Sequence, residues 1–316
     1  MKIDALSRRE FLHYAGVAAL AAPLAGLAAT PAEGPGKGRR KIAVFTKTLQ
    51  WTSLTQMADM VAECGFDGLD LTVRPRGHVE PERVKEDLPR FAEAMKNVGK
   101  EIVMLTTAIG SADEPHTDDI LSTAAKLGIG HYRTTWYRYR AEQKIDDTLQ
   151  ECVTKLKGLA TLNAKHRIKA GYQNHAGASV GSPVWDLALI LREVQSPWIG
   201  CQYDIRHAMV EGTNAWTVGF DYIGRHINTF IFKDYAWTKG SGQWRPVNVP
   251  LGDGMVDFAA YAARIKALSL EIPVTLHMEY DLGGAELGQR NVSITPPQMI
   301  AALKSNLAVV RRALDS

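Results

Sequence analysis

The chain has 316 residues, 37 Lys and Arg against 34 Asp and Glu, and a formal charge of +3 with both signs scattered along its length. That length allows one large domain or two small ones, each with a sizeable core. The even scatter of charge lacks the basic stripe that nucleic-acid binding requires, so no nucleic-acid partner is expected.

The first segment reads as an address rather than a fold. Ser7-Arg8-Arg9-Glu10-Phe11-Leu12 is a twin-arginine motif, and a small-residue apolar run from Ala15 to Ala29 follows it. A basic start, an apolar middle and a small-residue end are the parts of an export signal, of the kind that carries folded proteins. Residues 1–32 are therefore expected to be a signal peptide, and 33–40, rich in Pro, Gly and charge, a linker. The expected location is the periplasm or another exported compartment. No later apolar run reaches the roughly 18 residues of a membrane span, so no membrane association is expected after cleavage. The three cysteines, Cys64, Cys152 and Cys201, are odd in number and form no CxxC, which points to small buried residues rather than a disulfide framework.

From Lys41 a regular alternation begins. Predicted strands cover 42–46, 68–73, 101–106, 131–136, 168–174, 198–204, 227–233 and 273–279. Predicted helices cover 54–64, 81–98, 117–127, 145–164, 184–194, 215–223, 256–268 and 297–314. The helix at 54–64 shows the logic: Leu54, Met57, Val61 and Cys64 recur at helical spacing, and Gly65 closes it. The strands are short and rich in Val, Ile, Leu and Phe without two-faced alternation, as buried parallel strands are. Strict alternation with helices implies parallel crossovers. Eight such units over residues 41–316 predict a single-domain (β/α)8 TIM barrel. An open doubly wound sheet would carry a glycine-rich turn after its first strand; here the turn is Lys47-Thr-Leu-Gln-Trp51. The segment 234–253, with Trp237 and Trp244, is predicted as a long loop, either a lid or a contact between copies in a homo-oligomer.

In a barrel, the C-terminal strand ends face one pocket. Those ends carry Lys47, Asp70, Arg74, Thr106, Trp136, Gln173, Asn174, His175, Asp204, His207, Lys233, Asp234, His277 and Glu279. The opposite ends carry Lys41, Phe66, Lys100, Ile129 and Ile272. Polar groups thus gather at the end where this fold keeps its active sites. Trp51 and Trp136 suit a pocket wall against which a sugar ring could stack. Each polar residue also has a structural reading: Asp204 as a cap of the following segment, Glu279 as an ion-pair partner of Lys233 or Arg74, the histidines as loop or packing groups.

Several of these segments together resemble the sugar phosphate isomerase/epimerase family, the xylose isomerase-like barrels. The resemblance rests on Glu63-Cys-Gly-Phe-Asp-Gly-Leu-Asp-Leu71, Gly200-Cys-Gln-Tyr-Asp-Ile-Arg-His207, Phe232-Lys233-Asp234, Pro250-Leu-Gly-Asp-Gly-Met-Val-Asp-Phe258 and Val274 to Glu279. It implies one divalent cation at the barrel mouth, held by Glu, Asp, His and Glu from strands five to eight. Asp204 and Glu279 match two of those positions; Gln173 and Ile231 stand at the other two. Three outcomes follow. His175 or His207 replaces the lost imidazole, giving a site of two carboxylates, Asp204 and Glu279, one histidine and waters, suited by ligand type to Mn, Co, Zn or Fe; the Gln173 oxygen can also ligate a hard cation but supplies no charge. Alternatively, a polar pocket works without metal. Or the barrel binds a carbohydrate and performs no chemistry.

The implied activity is a carbohydrate isomerase or epimerase, or a lyase, that moves a proton next to a carbonyl. The expected catalytic residues are Glu279, Lys233, His207 and Arg74, with Lys47, Trp51, Asp70, Thr106, Trp136, Gln173 and His277 binding a small carbohydrate. An exported enzyme rarely meets sugar phosphates, so a free or oxidised sugar fits the address better.

Overall fold

The computed structural model describes residues 40–268 and 271–315. The predicted export signal, and the linker up to residue 39, lie outside the described residues. Chain order, with helices and strands named as used below, begins β1 (Ile42–Phe45), α1 (Leu54–Cys64), β2 (Gly68–Val73), α2 (Val84–Asn97), β3 (Glu101–Thr107), α3 (Thr117–Lys126), β4 (His131–Arg133) and α4 (Ile145–His166). It continues β5 (Lys169–Gln173), α5 (Val184–Val194), β6 (Ile199–Asp204), α6 (Ile205–Gly212), α7 (Trp216–Ile223) and β7 (Ile227–Phe232). The last elements are β8 (Asp234–Gly240), β9 (Gln243–Val249), α8 (Phe258–Ala267), β10 (Val274–Leu276) and α9 (Pro296–Asp315).

Eight of these strands close into a barrel in the order β1-β10-β7-β6-β5-β4-β3-β2, and every ladder is parallel. The predicted (β/α)8 fold is therefore the observed one. β1, β2, β6 and β7 are buried along their whole length, which explains why their sequences do not alternate. The helices bury one stripe each. α1 turns Met57, Val61 and Cys64 inward, starts on a Ser53–Gln56 capping box and ends at Gly65 with φ +86°, a conformation that favours glycine. All three cysteines are buried free thiols.

Four elements differ from expectation, one of them β10, which ends at Leu276 and leaves the predicted strand residues 277–279 beyond it. Segment 234–253 is mostly an antiparallel hairpin, β8 paired with β9, and not a loop; its outer residues are polar or aromatic and exposed, so no core-facing pattern marked it. Trp244 is 65% exposed at its tip. An additional helix, α6, begins directly after β6, because the Asp204 side chain accepts from the backbone N–H groups of Arg206 and His207 and caps it. β4 stops at Arg133, and the predicted strand residues 134–136 continue as irregular chain.

The hairpin base is locked by one side chain. Asp234 Oδ1 accepts from the N–H groups of Tyr235 (2.8 Å) and Val256 (3.1 Å), and Oδ2 from those of Gly252 (2.9 Å) and Gly254 (3.1 Å). A Cβ at Gly254 would lie 2.2 Å from Asp234 Oδ1, so only glycine lets the backbone close on that carboxylate. The Lys233-Asp234 pair thus divides its labour: Asp234 builds the turn and Lys233 enters the barrel mouth.

Candidate active site at the barrel mouth

Because the ladders are parallel, the C-terminal strand ends share one mouth. Gln173 and Asp204 end β5 and β6, Lys233 follows β7, Arg74 follows β2, Lys47 lies in the turn after β1, and Glu279 lies three residues past β10. Glu279 is the hub. Its Oε1 accepts from Lys47 Nζ at 2.5 Å and its Oε2 pairs with Lys233 Nζ. Lys233 is 3% exposed, and a buried ammonium persists only beside a counter-charge. Burial pushes the Glu279 carboxyl up, but Lys233, Lys47 and His277 outweigh it and hold the group well below the usual carboxylate range. It is ionised at any physiological pH. Asn248 of the hairpin donates to the Glu279 carbonyl at 3.1 Å, tying β9 to the same point.

Next to this trio lies a second network. Gln173 Nε2 donates to Asp204 Oδ2 at 2.9 Å, and Gln173 Oε1 accepts from Arg133 Nη1 at 3.1 Å. A cation on one side and a carboxylate on the other leave only one amide orientation. Asp204 is fully buried; Asn174 brackets its main chain, accepting from its N–H at 2.7 Å and donating to its carbonyl at 3.0 Å. Arg133 is 3% exposed, its Cζ lies 4.3 Å from the Trp136 ring centre, and its Nε has no hydrogen-bond partner among the described residues. Burial and the Arg74 charge push Arg133 down to about 9, against Asp70 and Glu279, so it remains a cation at neutral pH.

Two imidazoles sit side by side, His175 and His207, with ring centres 4.1 Å apart. Burial, and then the Lys233 charge, lower both, which makes them neutral at pH 7. Their hydrogen bonds assign opposite tautomers. His175 Nδ1 faces the Ala176 carbonyl at 3.0 Å and must carry the proton, leaving a lone pair on Nε2. His207 Nδ1 faces Arg206 Nη1 at 3.1 Å and must accept, so its proton is on Nε2. That Nε2 is buried with no hydrogen-bond partner among the described residues, 3.5 Å from Asp204 Oδ2.

Other expected site residues lie deeper. Asp70 is fully buried and accepts from Thr106 Oγ1 (2.7 Å) and Thr275 Oγ1 (3.0 Å). His277 stacks on Phe45 at 4.3 Å with Nε2 3.5 Å from Asp70 Oδ2. Three strands meet there, so Asp70, Thr106 and His277 form a polar layer inside the barrel beneath the mouth. Trp136 stands against His175 at 4.7 Å. Trp51 gives its indole N–H to Thr48 O at 3.0 Å and packs on the core. An open cavity of about 430 Å³ adjoins the hub, lined by Lys47, Gln50, Arg74, Pro75, Arg76, Ala108, Leu287 and Gly288. A larger one, about 540 Å³, is at the opposite barrel end beside Lys100, Glu101 and Ile129, away from every group described above.

The family model described as a xylose isomerase-like TIM barrel matches residues 58–300. The chain belongs to that family. Solved structures similar to it include an L-ribulose 3-epimerase (TM-score 0.67, 13% identity, 88% of this chain and 95% of that one). Another is the probable 3-DHS dehydratase of petrobactin synthesis from Bacillus anthracis (0.64, 16%, 84% and 97%). A third is the apo 3-keto-D-glucoside 4-epimerase from E. coli (0.63, 13%, 87% and 100%). At these identities the likeness is one of fold. No curated protein matches the chain.

The divalent cation implied by the xylose isomerase-like resemblance does not fit the residues as they stand. Gln173 offers Asp204 an N–H, and its oxygen is engaged by Arg133. One Asp204 oxygen caps α6. Ile231 is apolar and buried. Both Glu279 oxygens are held by ammonium groups, and His207 presents a proton on Nε2. Among the described residues, no three His, Cys, Asp or Glu side chains are grouped to hold a metal ion. Asp204, Glu279, His175, His207 and Gln173 do converge on one mouth, but in hydrogen-bond roles that leave no common set of lone pairs.

Arg133 and Arg206 escaped the sequence reading. Arg133 lay inside a predicted strand, where nothing distinguished it from a solvated edge. Arg206 sat between two singled-out residues; its burial, at 8% exposure, follows from the helix that Asp204 caps.

Proposed function

We propose that this protein is a carbohydrate isomerase or epimerase-like enzyme whose reaction begins with removal of a proton next to a carbonyl. Removal of that proton is common to epimerisation, ketose–aldose isomerisation and elimination of a neighbouring hydroxyl, and the similar folds include epimerases and a dehydratase. The observation that carries the reading is the neutral histidine pair in opposite tautomers, beside the Lys233–Glu279–Lys47 cluster.

In this mechanism His175 Nε2 takes the proton, since it alone of the pair has a free lone pair. Glu279 is a weak base because two ammonium groups stabilise its anion; its part is to hold Lys47 and Lys233 charged and in place. Lys233, 3% exposed, stabilises the negative charge that grows on the carbonyl oxygen as an enediolate forms, in a setting where water screens it little. The His207 Nε2–H is the second donor available to that oxygen or to a departing hydroxyl. Delivery of a solvent proton to the opposite face, with the proton on His175 passing to solvent, gives the epimer; return of the His175 proton to the neighbouring carbon, with loss of that enediol's hydroxyl proton to the first oxygen, gives the isomer. The twin-arginine start sets this chemistry outside the cytoplasm, on sugars free in that compartment.

The test is solvent exchange. Purified protein is incubated in D2O with D-fructose, D-psicose, L-ribulose and a 3-keto-glucoside, and deuterium next to the carbonyl is followed by NMR. Exchange or isomer formation with at least one of them, lost in His175→Asn, is expected. A folded protein that exchanges none of them, yet binds them, would make the barrel a carbohydrate-binding module instead.

A further inference from the structure

We propose that the β2–α2 loop forms an anion site, so that the substrate is a sugar bearing a carboxylate or phosphate held by Arg74 and Arg76. The inference rests on the barrel-mouth site proposed above and names its substrate class.

The cavity beside Glu279 is lined by three cations, Lys47, Arg74 and Arg76, and by no carboxylate. Lys47 is engaged by Glu279 at 2.5 Å. Arg74 and Arg76 make no ion pair among the described residues, whereas Lys47 and Lys233 beside them share Glu279. Arg74 is half-buried, with its Cζ 5.7 Å from the Phe45 ring centre. Burial lowers its pKa, and the Arg76 charge lowers it further, against Asp70 and Glu279. Two guanidinium groups lining one cavity repel each other, and an anion bound between them offsets that cost.

The loop is built to keep Arg76 there. Arg76 has φ +61°, a left-handed conformation that costs an arginine about 1 kcal/mol or more. Both of its backbone polar groups are held: its N–H by Glu80 Oε1 at 2.9 Å and its carbonyl by Gln50 Nε2 at 2.8 Å. Gln50 is 8% exposed and itself lines the cavity. Around the wider mouth, Arg74 and Arg133 share the same two carboxylates, Asp70 and Glu279, and Glu279 is already paired with Lys47 and Lys233. Planar guanidinium groups suit the two oxygens of a carboxylate or phosphoryl group, and a cavity of about 430 Å³ is within the usual range for a small ligand.

The test is calorimetric titration of the full protein with D-gluconate, D-glucose 6-phosphate, D-glucose and sodium sulfate at low and physiological salt. The anionic sugars are expected to bind about tenfold or more tighter than D-glucose, as charge-assisted hydrogen bonds predict, and to weaken as salt rises. Arg74→Gln and Arg76→Gln are each expected to erase that preference, and Arg74→Lys to restore part of it; melting curves check folding, and the exposed Arg76 position serves if Arg74→Gln does not fold. Tighter gluconate than 6-phosphate identifies a carboxylate, and the reverse a phosphoryl group. D-glucose binding as tightly as either anionic sugar, or both Gln variants keeping the preference, overturns the anion site, and sulfate binding as tightly as the anionic sugars overturns its assignment to a sugar substrate. Exchange on neutral keto-sugars without any anion preference would overturn this inference alone, while anion preference without exchange on neutral or anionic keto-sugars would overturn the catalytic reading alone.

Discussion

The side-chain amide of Gln173 donates to Asp204 Oδ2 at 2.9 Å, at a position where the family resemblance implies a metal-binding carboxylate. With Arg133 on the other end of the same amide, the barrel mouth is organised by fixed protein cations. Lys47 and Lys233 clasp Glu279 on one side, and on the other Arg133 holds Gln173 against Asp204 while Arg206 holds His207.

A first consequence concerns metal. The wild-type protein is expected to retain activity after exhaustive treatment with EDTA and to carry sub-stoichiometric transition metal by plasma emission analysis. The double variant Gln173→Glu, Ile231→His re-creates the four-ligand pattern and is expected to gain tight binding of Mn, Co or Zn. Stoichiometric metal in the wild type, with activity lost on chelation, contradicts this account.

Glu279→Gln removes the shared counter-charge of Lys47 and Lys233. Leaving a buried ammonium unpaired costs about 3 kcal/mol, so the urea midpoint should fall clearly, and turnover should drop by about 100-fold or more. An unchanged midpoint would mean that Lys233 finds another partner.

His175→Asn removes the lone pair assigned to proton abstraction and is expected to slow exchange by about 100-fold or more. His207→Asn keeps an N–H donor and is expected to lose less. Since the His175 pKa lies below its ordinary 6.5, the rate should be flat above about pH 6.5 and fall only in more acid solution. A rate that climbs through pH 7 would point to a different base.

Acid should destabilise the fold early. Burial lowers His78 to about 4, with Arg290 and Arg74 adding to it against a backbone hydrogen bond, and burial with Lys169 lowers His131 to about 4. The unfolded chain takes up these protons below about pH 6.5, whereas the folded chain does so only near pH 4, so stability is complete above 6.5 and is lost as pH falls between those values. Each group contributes up to about 3 kcal/mol by linkage. Urea midpoints at pH 7, 5.5 and 4.5 should therefore decline, and His78→Phe should flatten the decline.

Asp234→Ala deprives four backbone N–H groups of their acceptor at the base of the hairpin. A loss of about 3 kcal/mol or more is expected, with hydrogen exchange of Gly252, Gly254 and Val256 accelerated first. Unaltered protection at these amides would show that the turn is held by packing alone.

The barrel was legible in the sequence because its signals are local and periodic. Eight buried apolar runs, helical spacing such as Met57-Val61-Cys64, and closing glycines such as Gly65 specify elements whose alternation admits few topologies. The residue types at the strand ends also placed the mouth, since Gln173, Asp204, Lys233 and Glu279 all follow apolar strands. What these side chains do to one another was decided by tertiary structure. Lys47 and Glu279 are 232 positions apart, and their pairing exists only once β1 and β10 are neighbours. The tautomers of His175 and His207 depend on a carbonyl and a guanidinium that sequence spacing does not orient, and Arg133 is a site residue only because β4 is short enough to leave it at the mouth. Periodicity specifies which face is buried; hydrogen-bond roles depend on which donor meets which acceptor, and only the closed barrel determines that.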